Sequence, residues 1–311
     1  MCQEDVCDTS KELKVKGVGQ QLLFSYPLNK NKNMKYCLYF LLFLSLLSVA
    51  SCGNELTRYL YDQTITEYAR HKIVYGSSES DEVINLPESK DELEIIHHKY
   101  YTLGYSEPNE QAAWVQYMLT RKMVNGSTKR KNHFREDPTV STGSSIPSDY
   151  KNSGFDRGHL APNADFLANH EMMDESFYMS NISPQYHKFN AGIWLKLEDT
   201  VRNMMRKNDS LIVVTGPIFD NIKIKNSKHT IGKKNIVTVP VAFYKVIFDP
   251  KNNRMIGFVI LHTNEQIKRP IEDFITTVDE IELLTNLDFF KNVNNESSLE
   301  SVKGDLNLWL N

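Results

Sequence analysis

The chain has 311 residues, of which 41% are hydrophobic, 24% are charged and 11% are aromatic, a composition that excludes a wholly disordered protein. The formal net charge of -3 excludes a general attraction to acidic polymers, so a nucleic-acid site would have to be a local basic patch. The length is typical of one main domain with appended segments.

The N-terminal part of the chain predicts a lipoprotein leader that starts at Met34. A lysine and an apolar stretch precede small residues that end at Cys52, as in a bacterial signal peptide followed by a lipidated cysteine. We expect a non-native extension at 1–33, a signal peptide at 34–51 and a lipid on Cys52. An uncleaved anchor, or cleavage near Ala50, is the alternative. Peptides from 1–33 in the expressed protein would contradict a start at Met34.

Export would place the protein at a bacterial membrane, in the periplasm or on the cell surface, with Cys52 as the lipid-bearing residue. The other cysteines, Cys2, Cys7 and Cys37, precede Cys52, so the mature chain would keep one cysteine. A disulfide bond within one mature chain is then impossible, despite the oxidising compartment. The stability of the fold must therefore come from its core.

Residues 52–92 end in acidic and turn-forming stretches and predict a tether and linker, so the compact domain is expected to span 93–290. Stretches rich in β-branched and aromatic residues predict strands at 93–106, 112–120, 211–219, 235–249 and 255–262. A short helix is expected at 277–290, and a polar C-terminal tail at 291–311.

The strongest helical pattern runs from Asn190 to residue 207. At about 100° per residue, the apolar positions form one stripe, which contains Trp194, Leu197 and Val201. The opposite, solvated face is expected to hold Lys196, Asp199, Arg202 and Arg206. Asn190 falls within the apolar stripe and Glu198 at its edge, so two polar side chains point inward. The alternatives are a helix N-cap for Asn190 and an ordinary border position for Glu198.

The stretch FDRGHLAPNADF, residues 155–166, places a guanidinium two residues before an imidazole. In an extended segment Arg157 and His159 share one face, while Asp156 and Gly158 face the other way. A guanidinium can hold phosphate oxygens, and an imidazole can take a proton from water. A structural turn, with Asp156 as a cap and Arg157 in a surface ion pair, is the alternative for an isolated motif.

This pair has no group that could carry the charge of a departing oxygen. A divalent ion does so well, and Mg²⁺ takes few protein ligands because it keeps several waters. One inward amide oxygen, from Asn190, would suffice as an anchor, with Glu198 holding a water of the metal.

Longer motifs place these residues in a family. The segments are SDYKNSGFDRGHLAPNADF at 148–166, FYMSNISPQ at 177–185, FNAGIWLKLED at 189–199 and VVTGPIF at 213–219. Together they resemble the DNA/RNA non-specific endonucleases, the ββα-metal, sugar-non-specific nucleases that include mitochondrial endonuclease G. The resemblance covers about Leu93 to Phe290, roughly two thirds of the chain.

The resemblance implies a mixed α+β fold, with a central antiparallel β-sheet flanked by helices and a ββα-metal active-site motif. His159 would be the general base and Arg157 a phosphate and transition-state contact. Asn190 would bind the metal, Glu198 would hold a metal-bound water, and Asn181 would position substrate or metal waters. The expected cofactor is Mg²⁺, with Mn²⁺ as a substitute.

The expected substrates are DNA and RNA of either strandedness, cut to products with 5′-phosphates, and members of the family often form homodimers. A catalytically weak or inactive surface lipoprotein that only binds nucleic acid is the alternative. A dedicated toxin would need a delivery domain or an immunity partner, and the sequence suggests neither.

Several other residues offer weaker signals. The basic runs at 129–131 and 223–234 are either solvated loops or patches that steer a nucleic-acid backbone. His187 is either a substrate contact or a solvated loop residue. His97 and His98 are adjacent in a strand-like stretch, so their side chains should face opposite ways and not chelate one ion together.

Overall fold

A seven-stranded antiparallel sheet forms the centre of the fold in the computed structural model of the chain, which describes residues 86–219 and 229–310. In chain order the strands are β1 Glu88–Ser89, β2 Glu94–His97, β3 Thr102–Ser106, β4 Gln111–Thr120, β5 Asp156–His159, β6 Ile182–Gln185, β7 Ser210–Ile218, β8 Thr230–Ile231, β9 Val237–Thr238, β10 Ala242–Asp249, β11 Arg254–Leu261, β12 Ile275–Thr276 and β13 Leu287–Asp288. The central sheet has the order β12-β11-β10-β7-β4-β3-β2, and every neighbouring pair is antiparallel. Separate two-stranded ladders pair β1 with β13, β5 with β6 and β8 with β9.

Helices flank both faces of this sheet. They are α1 Arg121–Val124, α2 His170–Glu175, α3 Leu195–Lys207, α4 Val278–Thr285, α5 Glu296–Glu300 and α6 Leu306–Leu310. A π-helical turn, Phe189–Trp194, leads directly into α3. Short 3-10 turns lie at Glu107–Asn109, Pro147–Tyr150, Asn163–Asp165, Met179–Asn181 and Ile271–Phe274. The predicted architecture, a central antiparallel sheet with flanking helices, is confirmed.

Alternate side chains of β10 separate the two cores. Phe243 packs in one cluster with Val201 of α3, whereas Tyr244 packs in the other with Ile281 of α4. Because successive side chains of a strand point to opposite faces, α3 and α4 lie on opposite sides of the sheet. Both faces of β10 are covered, which explains the nearly continuous apolar sequence of this strand.

Two of the predicted strands are interrupted. The stretch 93–106 folds as a hairpin, β2 and β3, closed by a turn in which the His98 amide donates to the Tyr101 carbonyl at 2.9 Å. The stretch 235–249 is divided into β9 and β10, with Pro240 between them. Proline has no N–H to donate to a ladder, so pairing stops there.

The C-terminal predictions need correction. The helix expected at 277–290 ends at Thr285, because Asn286 adopts a left-handed conformation with φ of 58°. The expected polar tail contains α5 and α6 and buries Leu306 and Trp309 in the core. Pairing of β1 with β13 also brings residues before Leu93 into the fold. These contacts join segments that are distant in sequence, so local polarity did not predict them.

The helical-wheel prediction is only partly right. Leu197 and Val201 are buried as expected. The π-helical turn contains a non-helical Gly192, with φ of -114° and ψ of -108°, so the spacing of 100° per residue does not give the directions of the side chains before Trp194. Phe189 is fully buried, whereas Asn190 is half-buried.

Arg202, expected on the solvated face, is buried instead. Its guanidinium donates to the Asp165 carboxylate at 2.8 Å and to the Asp199 carboxylate at 2.6 Å. A buried guanidinium requires such partners.

The leader predictions lie outside the described residues. They concern the extension at 1–33, the signal peptide at 34–51, the lipidated Cys52 and most of the tether at 52–92, and they stay predictions. In the part of the chain that the structure describes, no helix combines the length and the apolar character that a bilayer crossing demands.

Candidate active site

The motif Asp156–His159 forms strand β5, which pairs with β6 in register from Asp156 opposite Gln185 to His159 opposite Ile182. The π-helical turn and α3 follow β6 after three residues. A strand pair and a helix thus form one unit beside the central sheet. Gly158 is required within it, because a Cβ atom there would lie 2.2 Å from the Gln185 side chain.

Arg157 and His159 face the same aromatic side chain, as the alternation of an extended strand predicts. The Arg157 guanidinium lies 4.2 Å from the centre of the Phe134 ring, and the His159 ring centre lies 5.4 Å from it. Phe177 meets the imidazole edge to face, with ring centres 5.0 Å apart. Phe134 and Phe177 thus pack against the His159 ring and give it an apolar environment, which the sequence motif did not predict.

His159 is held as a neutral base. Its side chain is 7% exposed, and Nε2 is buried without a hydrogen-bond partner among the described residues. Burial, together with the positive charges of Arg130 and Arg157, lowers the pKa of His159 to about 3. The imidazole is therefore unprotonated at neutral pH, and its free nitrogen can accept a proton.

Asn190 is oriented by Asp156. The Asn190 amide nitrogen donates to the Asp156 carboxylate at 2.9 Å, and His187 Nδ1 lies 2.9 Å from the same oxygen. This contact assigns the amide nitrogen and leaves Oδ1 on the other side of the group. Asn190 lies within the π-helical turn and not at its cap, so the N-cap alternative is excluded. Sequence reasoning missed this role of Asp156.

Glu198 lies eight residues further along the helix, half-buried on its inner side. Burial raises the pKa of its carboxyl group, and the nearby Lys245 ammonium opposes this rise. Glu198 also acts electrostatically on Arg130, which in turn acts on His159, so the fold brings these three charged or titratable groups into one neighbourhood.

Lys245 is a buried member of the site that sequence reasoning missed. Its ammonium donates to Thr215 Oγ1 at 3.0 Å and to the Leu160 carbonyl at 3.3 Å, and it lies 4.7 Å from the centre of the Trp194 ring. It thus ties the residue after His159 to the helix that carries Glu198. The available signal was a single lysine within the apolar strand β10.

Asn181 is bonded to the backbone in this structure, and its expected role in positioning substrate or metal waters stays a prediction. Its side chain is fully buried, Oδ1 accepts from the Ala161 amide at 2.9 Å, and Nδ2 donates to the Ala161 and Ser176 carbonyls at 2.9 Å each. These bonds hold the chain just after His159 in place. The buried amide has no donor left for a ligand.

An open cavity of about 650 Å³ lies in front of these residues. Three cations line it, namely Arg130, Lys151 and Arg157, together with Asn190 and Phe134. His159 is in ring contact with Phe134 but is not among the residues that line the cavity. Arg130 belongs to the basic run at 129–131, so this run contributes one of the three cations that line the cavity. The part of the other run at 223–228 lies outside the described residues.

The residues present fit a hard divalent cation. Asn190 offers an amide oxygen to which no described residue donates a hydrogen bond, and Glu198 offers a carboxylate on the same helix. Oxygen donors of this kind suit Mg²⁺ or Mn²⁺.

Comparisons with known proteins show the family to which the chain belongs. The family model described as DNA/RNA non-specific endonuclease matches residues 81–296. Nuclease C1 of Cunninghamella echinulata var. echinulata is 32% identical over 225 residues, which cover 69% of this chain and 89% of that protein. Human mitochondrial endonuclease G is 32% identical over 202 residues, covering 62% of this chain and 68% of that protein. A crystal structure of an EndoG/EndoGI complex contains a chain that matches with a TM-score of 0.61 and 28% identity, over 72% of this chain and 93% of that one.

Proposed function

Because this chain belongs to the DNA/RNA non-specific endonuclease family, and is thus an endonuclease, we propose that it hydrolyses DNA and RNA to 5′-phosphate products with a divalent metal, Mg²⁺. One observation carries the assignment of the chemistry to residues. His159 presents a neutral Nε2 with no hydrogen-bond partner among the described residues, under the electrostatic influence of Arg130 and Arg157 and near a cavity lined by three cations and Asn190.

The cations bind the phosphodiester backbone. Arg157 holds the non-bridging oxygens of the scissile phosphate, and Arg130 and Lys151 hold neighbouring phosphates along the cavity. Contacts with phosphates do not distinguish one base from another, which is consistent with cleavage that is independent of the nucleotide sequence. Because His159 Nε2 is buried, a side chain must move for water to reach it, and Arg157, which stacks on Phe134, is one that a bound phosphate would displace.

His159 acts as the general base. Its Nε2 takes one proton from the attacking water, whose oxygen bonds to phosphorus while the bond from phosphorus to the 3′ oxygen breaks. The 3′ oxygen leaves with a proton from solvent, so the products are a 5′-phosphate and a 3′-hydroxyl. Arg157 stabilises the extra negative charge on the phosphate oxygens in the transition state.

Asn190 would hold the metal directly through Oδ1, and Glu198 would hold it through a water. When bound, the metal supplies charge stabilisation for the departing oxygen. Asp156 keeps the Asn190 amide in the orientation that this role requires. Lys245 and Asn181 maintain the backbone after His159, and both are positioning residues.

Cleavage of two polymers tests this function. The purified full chain should degrade supercoiled plasmid and single-stranded RNA with Mg²⁺ present, and neither with EDTA. A DNA ligase should reseal the first nicks in the plasmid, since it needs a 5′-phosphate beside a 3′-hydroxyl. Binding of both polymers without cutting would favour the inactive nucleic-acid-binding lipoprotein, and nicks that resist the ligase would contradict the proposed products.

The acid limb of kcat should lie at higher pH than that of kcat/KM. In the free enzyme the pKa of His159 is about 3, so the base form persists at all pH values above that. Burial is the largest cause of this low pKa and persists in the complex, but a phosphate bound by Arg130 and Arg157 offsets their charges and so raises the pKa of His159. Because kcat reports the complex and kcat/KM the free enzyme, kcat falls first as the pH falls.

Steady-state cleavage of a short single-stranded oligonucleotide between pH 4 and 8 measures both limbs. Because burial raises the pKa of Glu198, this carboxyl group also titrates within the pH range of the experiment, so the same profiles in Glu198→Gln isolate the contribution of His159. Coincident limbs in both proteins would show that bound phosphate leaves the pKa of His159 unchanged.

A further inference from the structure

Three carboxylates meet on the face of the sheet opposite to the candidate active site. Asp279 and Glu282 belong to α4, and Glu300 is the last residue of α5. Each offers an oxygen, and these oxygens lie within 4.8 Å of one another. Since α4 packs on the face opposite to α3, the group is separate from the helix that carries Asn190 and Glu198.

Glu300 is the unusual member of this group. Its side chain is 5% exposed, and Oε1 is buried with no hydrogen-bond partner among the described residues. Glu282, by contrast, accepts a hydrogen bond from the Phe289 amide at 2.7 Å. An unpartnered buried carboxylate oxygen is costly, so Glu300 needs either a proton or a cation.

The protein supplies no counter-charge of its own. Among the described residues, none of the three carboxylates forms an ion pair, and the nearby Lys291 is engaged with Glu88 at 2.6 Å and Asp288 at 3.7 Å. Burial and the surrounding acids raise the pKa of Glu282 to about 7 and that of Glu300 to about 8. Asp288 and Glu296 are among those acids, so the local charge is strongly negative.

The geometry matches a calcium ion better than a magnesium ion. Oxygens on opposite sides of Ca²⁺ lie about 5 Å apart, since each is about 2.4 Å from the ion, and several carboxylates can share it. Mg²⁺ prefers to keep its waters and to use one or two carboxylates. Asp279 is exposed and Glu282 half-exposed, so an ion can enter from solvent and reach the buried Glu300.

We propose that Asp279, Glu282 and Glu300 form a structural site for a hard divalent cation, Ca²⁺, that ties α5 to α4. The ion satisfies the unpartnered Glu300 oxygen and offsets the repulsion among the carboxylates. It stabilises the C-terminal part of the fold and takes no part in hydrolysis.

Thermal unfolding of the full chain with Ca²⁺ or EDTA tests this site. Asn190→Ala is the background, because it removes the expected active-site ligand and leaves the acidic group intact. At about a hundredfold excess over Kd, Ca²⁺ should raise the Tm by about 5–10 °C. Adding Glu300→Gln should abolish the rise, whereas Glu265→Gln, an exposed change elsewhere, should leave it unchanged.

Calorimetric titration with Ca²⁺ gives the second measurement, with one ion expected per Asn190→Ala chain and none after Glu300→Gln. Equal Tm shifts with and without Glu300, or no shift at all, would overturn the proposal. If the Tm does not change with Ca²⁺ but rises as the pH falls below 8, the carboxylates are stabilised by protons and not by a cation.

Discussion

Replacing His159 by alanine is expected to lower kcat/KM by about 10²- to 10⁴-fold on both DNA and RNA. The change removes the proposed general base, a neutral imidazole on which both Arg130 and Arg157, two of the cations that line the cavity, act electrostatically. The metal affinity should stay close to that of the parent protein, because Asn190 and Glu198 are unchanged. Initial rates of plasmid nicking and RNA hydrolysis at saturating Mg²⁺ measure the effect.

His170→Ala is the matched control, since His170 is exposed at the start of α2. It should keep the parent rate. Because His159 is buried against Phe134 and Phe177, far-ultraviolet circular dichroism and a Tm must show that His159→Ala remains folded. A folded His159→Ala protein with the parent rate would remove His159 from the mechanism.

Replacing Asn190 by alanine should shift the Mg²⁺ dependence of cleavage to at least about 10- to 100-fold higher concentrations. Asn190 Oδ1 is the proposed direct protein ligand, so its loss leaves Glu198 to act through water alone. The rate at low Mg²⁺ should fall by a similar factor, with partial recovery at high Mg²⁺. Rates measured across a Mg²⁺ titration separate weaker metal binding from a slower chemical step.

Asn203→Ala on the exposed side of α3 is the control for this change, since Asn203 contacts only Arg206 among the side chains that the described structure pairs with it. It should leave the titration unaltered. If Asn190→Ala gives the parent titration curve, Asn190 is not a metal ligand, and the oxygen donors of the site must be reassigned.

Fold-level predictions from the sequence depended on local patterns and were mostly confirmed. Apolar stretches predicted the long strands, and the family motifs predicted the ββα unit, because β5, β6 and the following helix are each built from residues close in sequence. The predictions failed where contacts between segments distant in sequence decide whether a residue is buried. Arg202 is buried because its guanidinium pairs with the Asp165 carboxylate. The expected polar tail is folded because Trp309 packs into the hydrophobic core.

The candidate site shows the same division. The sequence predicted that Arg157 and His159 share a face, since that follows from the alternation of a strand. It did not predict Phe134, Phe177 or Lys245, which reach the site from separate elements. It also did not predict that backbone groups of Ala161 and Ser176 would bond to the Asn181 amide.

By itself, then, the sequence determined the family, the strand that carries the DRGH motif and the alternation that places Arg157 and His159 on one face, because motif, spacing and period are local properties. Only the tertiary structure decided the protonation state of His159, the orientation of Asn190 and the environment of Glu300. Each of these depends on burial and on charges contributed by segments far away in the chain. Such electrostatic effects depend on distances in space, which a linear sequence does not contain.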